Sequence, residues 1–339
     1  MATMQVSVLR GVGDVGTEER EIPEPAAGEV LVRIGSVGVC GSDVHYYEHG
    51  RIGPYVVDSP LVLGHEAGGV VTAVGPGVSA LRPGQRVSIE PGVPCRRCTQ
   101  CLTGRYNLCP DVEFFATPPH DGAFCQYVAM PAGFVHPVPD GVSDDAAGLL
   151  EPLSVGVWAC RRADVAPGSS VLVTGAGPIG LIAAQAARAY GASSVTVTDV
   201  NPHRLAVAAE LGLATVDVAA TPLADAGLEP DVLLECSGNA RATWDAVGIV
   251  GRAGRVVLVG MGGDEVRLPL SHVQDREIVL TGAFRYANTW PTAIELVASG
   301  RVDLDAMVTG HYPLSDVESA LTAARSDPTA VKVVVRPGD

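Results

Sequence analysis

Basic side chains are scarce in this chain. Twenty-three Lys and Arg face 38 Asp and Glu, for a net charge of -15. Nucleic acid and anionic membrane surfaces both reward clustered cations, so this balance argues against either as a partner. Lysine is nearly absent: Lys332 stands alone among the arginines, a bias that fits a GC-rich coding sequence and suggests no function. No uncharged apolar run approaches the twenty residues a membrane helix needs. The opening Met-Ala-Thr-Met-Gln-Val-Ser-Val has no charged segment leading into an apolar one, so secretion is not expected. Internal repeats and low-complexity stretches are missing too. The first 150 residues show no long helical periodicity, which excludes a helical bundle there.

What is present describes a globular protein rich in tight turns. At 339 residues, a prior of roughly 150 residues per domain gives about two domains. The chain is 47% hydrophobic, with 40 Gly and 25 Pro. Four of its eight cysteines, Cys95, Cys98, Cys101 and Cys109, form a C-x2-C-x2-C-x7-C run. Four close-set thiolates suit a tetrahedral, all-sulfur structural zinc site. Disulfides fit less well, because neighbours this close would make strained rings. An iron–sulfur cluster also fits less well, because the bacterial cluster run ends with a different spacer before Cys-Pro. Cys40, Cys125, Cys160 and Cys236 are scattered, which suits a reducing cytoplasm.

Short β-branched runs bounded by glycine fill the first part of the chain, among them Glu29-Val-Leu-Val-Arg-Ile and Gly69-Val-Val-Thr-Ala-Val. They predict an irregular antiparallel barrel. Beyond Glu151 the texture changes. Strands at 170–174, 195–199, 232–235 and 255–259 alternate with helices at 178–190 and 201–211, which implies βαβ units and a parallel sheet. Helices are expected again around 291–299 and 317–325, with a last strand at 330–336. This tail reads as completing the first domain.

The run Gly175-Ala-Gly177-Pro178-Ile179-Gly180 follows a predicted strand and opens a predicted helix. In that setting the first glycine makes the turn and the second lets the backbone approach a pyrophosphate. The third allows close strand–helix packing, and the helix N-terminus supplies partial positive charge. Asp199 ends the next strand, where an acid hydrogen-bonds ribose hydroxyls and repels a 2′-phosphate, so NAD is favoured over NADP. Asp199 could instead be the N-cap of the following helix. Arg204 lies along the adenine or faces solvent.

Three further motifs, Cys40-Gly-Ser42-Asp-Val-His45, Gly64-His65-Glu66 and Glu151-Pro152, mean little singly. Beside the cysteine run and ahead of the dinucleotide motif, they make the chain resemble the zinc-containing medium-chain dehydrogenases over essentially its whole length. Within that family it is most similar to the sorbitol (L-iditol) and xylitol dehydrogenases. The stretches that support this include Cys40-Gly-Ser-Asp-Val-His-Tyr-Tyr, Leu63-Gly-His-Glu-Ala, Ala116-Thr-Pro-Pro-His-Asp-Gly, Glu151-Pro-Leu-Ser-Val-Gly and Phe284-Arg-Tyr-Ala-Asn-Thr-Trp-Pro.

The resemblance implies an α/β chain in two domains. A GroES-like barrel spans residues 1–152 and 286–339, with the structural-zinc lobe at 92–110, and a Rossmann NAD domain spans 153–285. It implies two zinc ions per chain. The catalytic one would be held by Cys40, His65 and Glu66, with Glu151 in reach directly or through water; which glutamate is the inner ligand stays open. Three protein ligands leave a fourth position for water or substrate oxygen. Ser42 and His45 would relay the released proton, with Glu151 as another route. Tyr46, Phe114, Thr117, Arg285 and Tyr286 would line a polyol pocket. The ordinary alternatives are a surface ion pair for Arg285 and core packing for the aromatic residues. The implied activity is oxidation of a secondary hydroxyl of a sugar alcohol by a cytoplasmic homotetramer. Vicinal-diol (butanediol) or L-threonine dehydrogenation on the same scaffold is the alternative, and a non-enzymatic relative would be expected to have lost its ligands.

Overall fold

The computed structural model describes residues 2–338, so Met1 and Asp339 lie outside the described residues. The chain divides into two units, one of residues 1–151 with 308–339 and one of residues 152–307.

In the first unit, the strand Glu29–Gly38 is the hub of a seven-stranded sheet. It pairs antiparallel with Glu66–Val74, Tyr127–Pro131 and Lys332–Arg336. Arg86–Ile89 and Val135–Pro137 extend the sheet on one side and Val308–Pro313 on the other. All of these pairs are antiparallel except Val308–Pro313 with Lys332–Arg336. On the hub strand, Val30, Val32, Ile34 and Val37 are fully buried with Val71, Phe124 and Val335. β-branched residues pack well on such a pleated surface. The register sets Gly38 opposite Glu66 and Val334. It thereby brings three remote stretches of chain to one point.

The second unit holds six parallel strands. Their order is Ala214–Asp217, Ser194–Asp199, Ser170–Thr174, Val232–Glu235, Arg255–Leu258 and Val279–Gly282. Strand order reverses between Ser170–Thr174 and Val232–Glu235, the crevice where doubly wound sheets bind ligands. The helix Pro178–Ala189 packs closely because its inner positions are small: Ala183, Ala184, Ala186 and Ala187 are fully buried.

The first unit's opening segment ends at Glu151, where the sequence reading had set 152. Return to the first unit was expected at residue 286 and falls at Val308. The intervening segment is held by the nucleotide unit's own side chains. Gln185 Nε2 donates to the Asp303 carbonyl at 3.0 Å, and Asp303 N donates back to Gln185 Oε1 at 2.8 Å. Arg161 donates to the Asn288 carbonyl at 2.8 Å and to Thr292 Oγ1 at 2.9 Å. The structure also adds elements with no expectation behind them. Among them are the helices Gly41–His49 and Ala240–Val247, and the strands Ala214–Asp217, Val279–Gly282 and Val308–Pro313. Among the described residues, no helix is long and apolar enough to cross a membrane.

Candidate active site and metal clusters

Cys40 follows the hub strand and caps the helix Gly41–His49, while Glu66 begins the strand paired beside it and His65 directly precedes that strand. One ligand atom from each of Cys40, His65 and Glu66 lies within 4.8 Å of the others. Glu66 is fully buried and His65 nearly so, with Cys40 half-buried. Two glycines make this convergence fit. A Cβ at Gly38 would overlap the Glu66 carboxylate, and Gly64 turns at φ +86 against the Phe124 ring.

Asp43, which the sequence reading passed over, organises the cluster. Its Oδ2 accepts from Cys40 N and its Oδ1 from Gly64 N, both at 2.9 Å. Oδ1 also lies 3.7 Å from His65 Nδ1. A carboxylate behind a ligating imidazole fixes ring orientation and raises basicity. Burial disfavours the charged form of His65, but the Cys40 sulfur and Asp43 outweigh it and hold the ring well above its usual pKa. The signal for Asp43 was its place in the first turn after Cys40, where an acid closes the helix N-terminus.

Lys332 was also passed over. Its Nζ donates to Glu66 Oε1 at 2.7 Å and to the Val39 carbonyl at 2.7 Å. Burial lowers its pKa, but Glu66, Cys40 and Glu151 together raise it above the ordinary lysine value. Glu151 is thus close enough to act on this centre, buried at the start of the helix Leu150–Arg162. A buried set of sulfur, imidazole and carboxylate donors fits a zinc with three protein ligands.

Around the cluster, Phe114 sets its ring 5.7 Å from that of His65. Tyr46 is buried on the Cys40 helix. Ser42 is half-buried on that helix, and His45 is exposed with its ring 4.5 Å from His49. Thr117 is half-buried in the loop after Phe114. Arg285 and Tyr286 belong to the other unit. Arg285 stacks 4.9 Å over Phe284, and Tyr286 packs edge-on against Trp290 at 5.1 Å.

Cys95, Cys98, Cys101 and Cys109 form the second cluster, with ligand atoms within 4.8 Å of one another. All four are free thiols. Cys98 and Cys101 sulfurs are 3.4 Å apart, Cys95 and Cys101 4.0 Å. Zinc–sulfur bonds of about 2.3 Å in a tetrahedron put sulfurs ~3.8 Å apart, so the quartet fits that ion. Backbone N–H groups of Arg97 and Cys98 lower the Cys95 pKa to about 7. Burial, with Cys98 and Cys109 alongside, pushes Cys101 up to about 12.

In the nucleotide unit, Gly175 turns at φ +82 and Gly177 caps the helix, with Pro178 and Ile179 as its first residues. A Cβ at Gly180 would strike the Gly175 carbonyl, which accounts for the third glycine. Asp199 Oδ2 accepts from Ala176 N at 2.7 Å, and Oδ1 from Val200 N and Asn201 N. Asp199 is not the N-cap of the next helix. Asn201 is, accepting from His203 N at 2.9 Å. Arg204 is half-buried, with its guanidinium toward Gly177 and its Nε buried without a hydrogen-bond partner. Glu235, also unforeseen, ends the strand across the switch point. It accepts from Thr174 Oγ1, Ser237 N and Gly238 N at 3.0–3.2 Å, which fixes the loop facing Gly175. Its signal was an acid closing a buried strand directly before Cys-Ser-Gly.

Residues 26–140 match the alcohol dehydrogenase GroES-like domain family, and residues 178–299 the zinc-binding dehydrogenase family. Rat sorbitol dehydrogenase is 44% identical, with 97% of this chain and 94% of the relative aligned. Sorbitol dehydrogenase of Bacillus subtilis (strain 168) is 42% identical, with 98% and 97% aligned. The chain belongs to the zinc-binding medium-chain dehydrogenases. A solved Escherichia coli oxidoreductase/dehydrogenase of unknown specificity superposes on this dehydrogenase with TM-score 0.94 and 37% identity, covering 99% of each chain. This zinc dehydrogenase is therefore an oxidoreductase acting on CH–OH groups, and both of its clusters suit the family's metal.

Proposed function

We propose that the protein oxidises a secondary hydroxyl of a sugar alcohol of the sorbitol, xylitol or L-iditol type to the ketose, passing the hydride to NAD. The observation behind this reading is the buried Cys40–His65–Glu66 cluster in a chain that aligns end to end with sorbitol dehydrogenases. When bound, zinc acidifies an oxygen it holds, as water falls from about 15.7 to about 7, and NAD accepts the hydride.

The chain's residues do the rest. Cys40, His65 and Glu66 hold the metal, with Glu151 and Asp43 behind them. Ser42 takes a hydrogen bond from the substrate hydroxyl, and His45, three residues on and exposed, leads the proton to solvent; Glu151 through water is the other exit. Tyr46, Phe114, Thr117, Arg285 and Tyr286 meet the polyol. Gly175, Gly177, Pro178, Ile179 and Gly180 cradle the pyrophosphate, Asp199 meets the ribose hydroxyls, and Arg204 flanks the adenosine.

A homotetramer in the cytoplasm completes the reading. Eight free thiols support that compartment. Among the described residues, Val279–Gly282 is paired on one side only, with Leu270 and Val279 exposed nearby, which supports a partner subunit at that edge. Sizing that returns a monomer removes the tetramer.

Initial rates at 340 nm over C4–C6 alditols, 2,3-butanediol, L-threonine and ethanol, with NAD and with NADP, test the activity. An alditol should exceed ethanol in kcat/KM by at least about a hundredfold, because polar pocket groups are left unpaired by a simple alcohol. Butanediol or threonine outrunning every alditol overturns the polyol reading.

A further inference from the structure

Lys332 is the chain's one lysine, in a sequence that uses arginine everywhere else, and it is 2% exposed. A desolvated cation of this kind is seldom kept for stability, since a well-packed apolar replacement often serves as well. Its contacts point elsewhere. Nζ bonds the Val39 carbonyl, in the peptide leading into Cys40, and Oε1 of Glu66. It therefore ties together both stretches that supply the cluster. It also lies 2.6 Å from Glu66 Oε2, so the ammonium sits against both carboxylate oxygens.

An ammonium is a compact point charge with three rotatable donors, so one lysine can meet a carboxylate and a carbonyl at a single buried point. We propose that Lys332 is a positioning residue for the metal centre: it holds the Glu66 carboxylate and the peptide leading into Cys40 in place for the metal. The inference rests on the metal reading of Cys40, His65 and Glu66.

The experiment follows release of zinc from the intact protein to a chromophoric chelator. The phase missing in Cys40→Ser identifies the metal of this cluster, and the cysteine-quartet zinc serves as an internal control. In Lys332→Met that phase should run about 10–100-fold faster, the usual cost of losing an outer partner of a ligand, with the quartet phase unchanged. Glu66→Gln should also speed it, and Lys332→Met in the Glu66→Gln background should add nothing further, because the lysine acts through the carboxylate. An unchanged or slower phase in Lys332→Met, equal acceleration of both zincs, or full additivity with Glu66→Gln overturns the proposal. Two zincs retained in Cys40→Ser overturns the metal reading beneath it and the proposal together.

Discussion

Cys95, Cys98, Cys101 and Cys109 come from one short stretch of chain, whereas Cys40, His65, Glu66 and Lys332 come from both ends of the first unit. The quartet offers four donors of one kind. The other cluster mixes sulfur, imidazole and carboxylate, and surrounds them with Asp43, Glu151 and a buried lysine. A closed all-thiolate shell saturates a metal, while three mixed ligands leave a position open. The contrast teaches that the local loop suits a structural ion, and that the long-range site needs the sheet register to exist at all.

Four measurements would break or sharpen that contrast. The largest effect is expected from Cys40→Ser, which should lose one zinc and at least about a thousandfold in turnover while the quartet keeps its metal. Near-normal turnover at 340 nm would end the assignment of the open site. Cys98→Ser should act on stability instead. A metal held at a hundred times its Kd contributes about 2.7 kcal/mol. At roughly 2–4 °C per kcal/mol, its loss should lower the thermal midpoint by about 5–10 °C, read by calorimetry on the zinc-loaded protein. A midpoint left in place would deny the quartet its structural part.

Asp43→Asn should weaken zinc at the Cys40 cluster by about 10–100-fold in chelator competition and spare the quartet. Equal weakening of both sites would mean that Asp43 serves the fold alone. The last measurement is the pH dependence of metal affinity. The metal-free His65 holds a proton above its usual range, and metal displaces it, so affinity there rises with pH by about tenfold per unit for that proton. Cys101, at about 12, and Cys109, also raised by burial, must both give up protons near neutrality. The quartet's affinity should therefore also rise with pH, by about a hundredfold per unit for those two protons. Competition titrations between pH 7 and 8.5 that give no slope at either cluster would contradict this.

How much of this was readable in advance depended on sequence distance. The Gly175–Gly180 turn and the strand Ser170–Thr174 were legible because turn, strand and helix cap are neighbours in the chain. The edge strands Ala214–Asp217 and Val279–Gly282 were not, since four-residue strands half-exposed at a sheet edge need no sustained apolar pattern. Gly41–His49 escaped notice because its nine residues are mostly polar and it is held by Asp43 and its capping geometry. Residues 286–307 were assigned to the barrel because nothing local reveals that Gln185 and Arg161 hold them. Lys332 looked like a matter of composition until its Nζ was seen beside Glu66.

Residue identity alone determined the chemistry on offer: four clustered thiols, a glycine turn before a helix, and a cysteine, a histidine and two glutamates in recognisable company. Tertiary structure decided which of these meet. Antiparallel pairing of Glu29–Gly38 with Glu66–Val74 and Lys332–Arg336 sets a carboxylate, a thiol and an ammonium at one buried point. In that dry setting charges must be paired or bound to metal, and no local pattern encodes which partner each one finds.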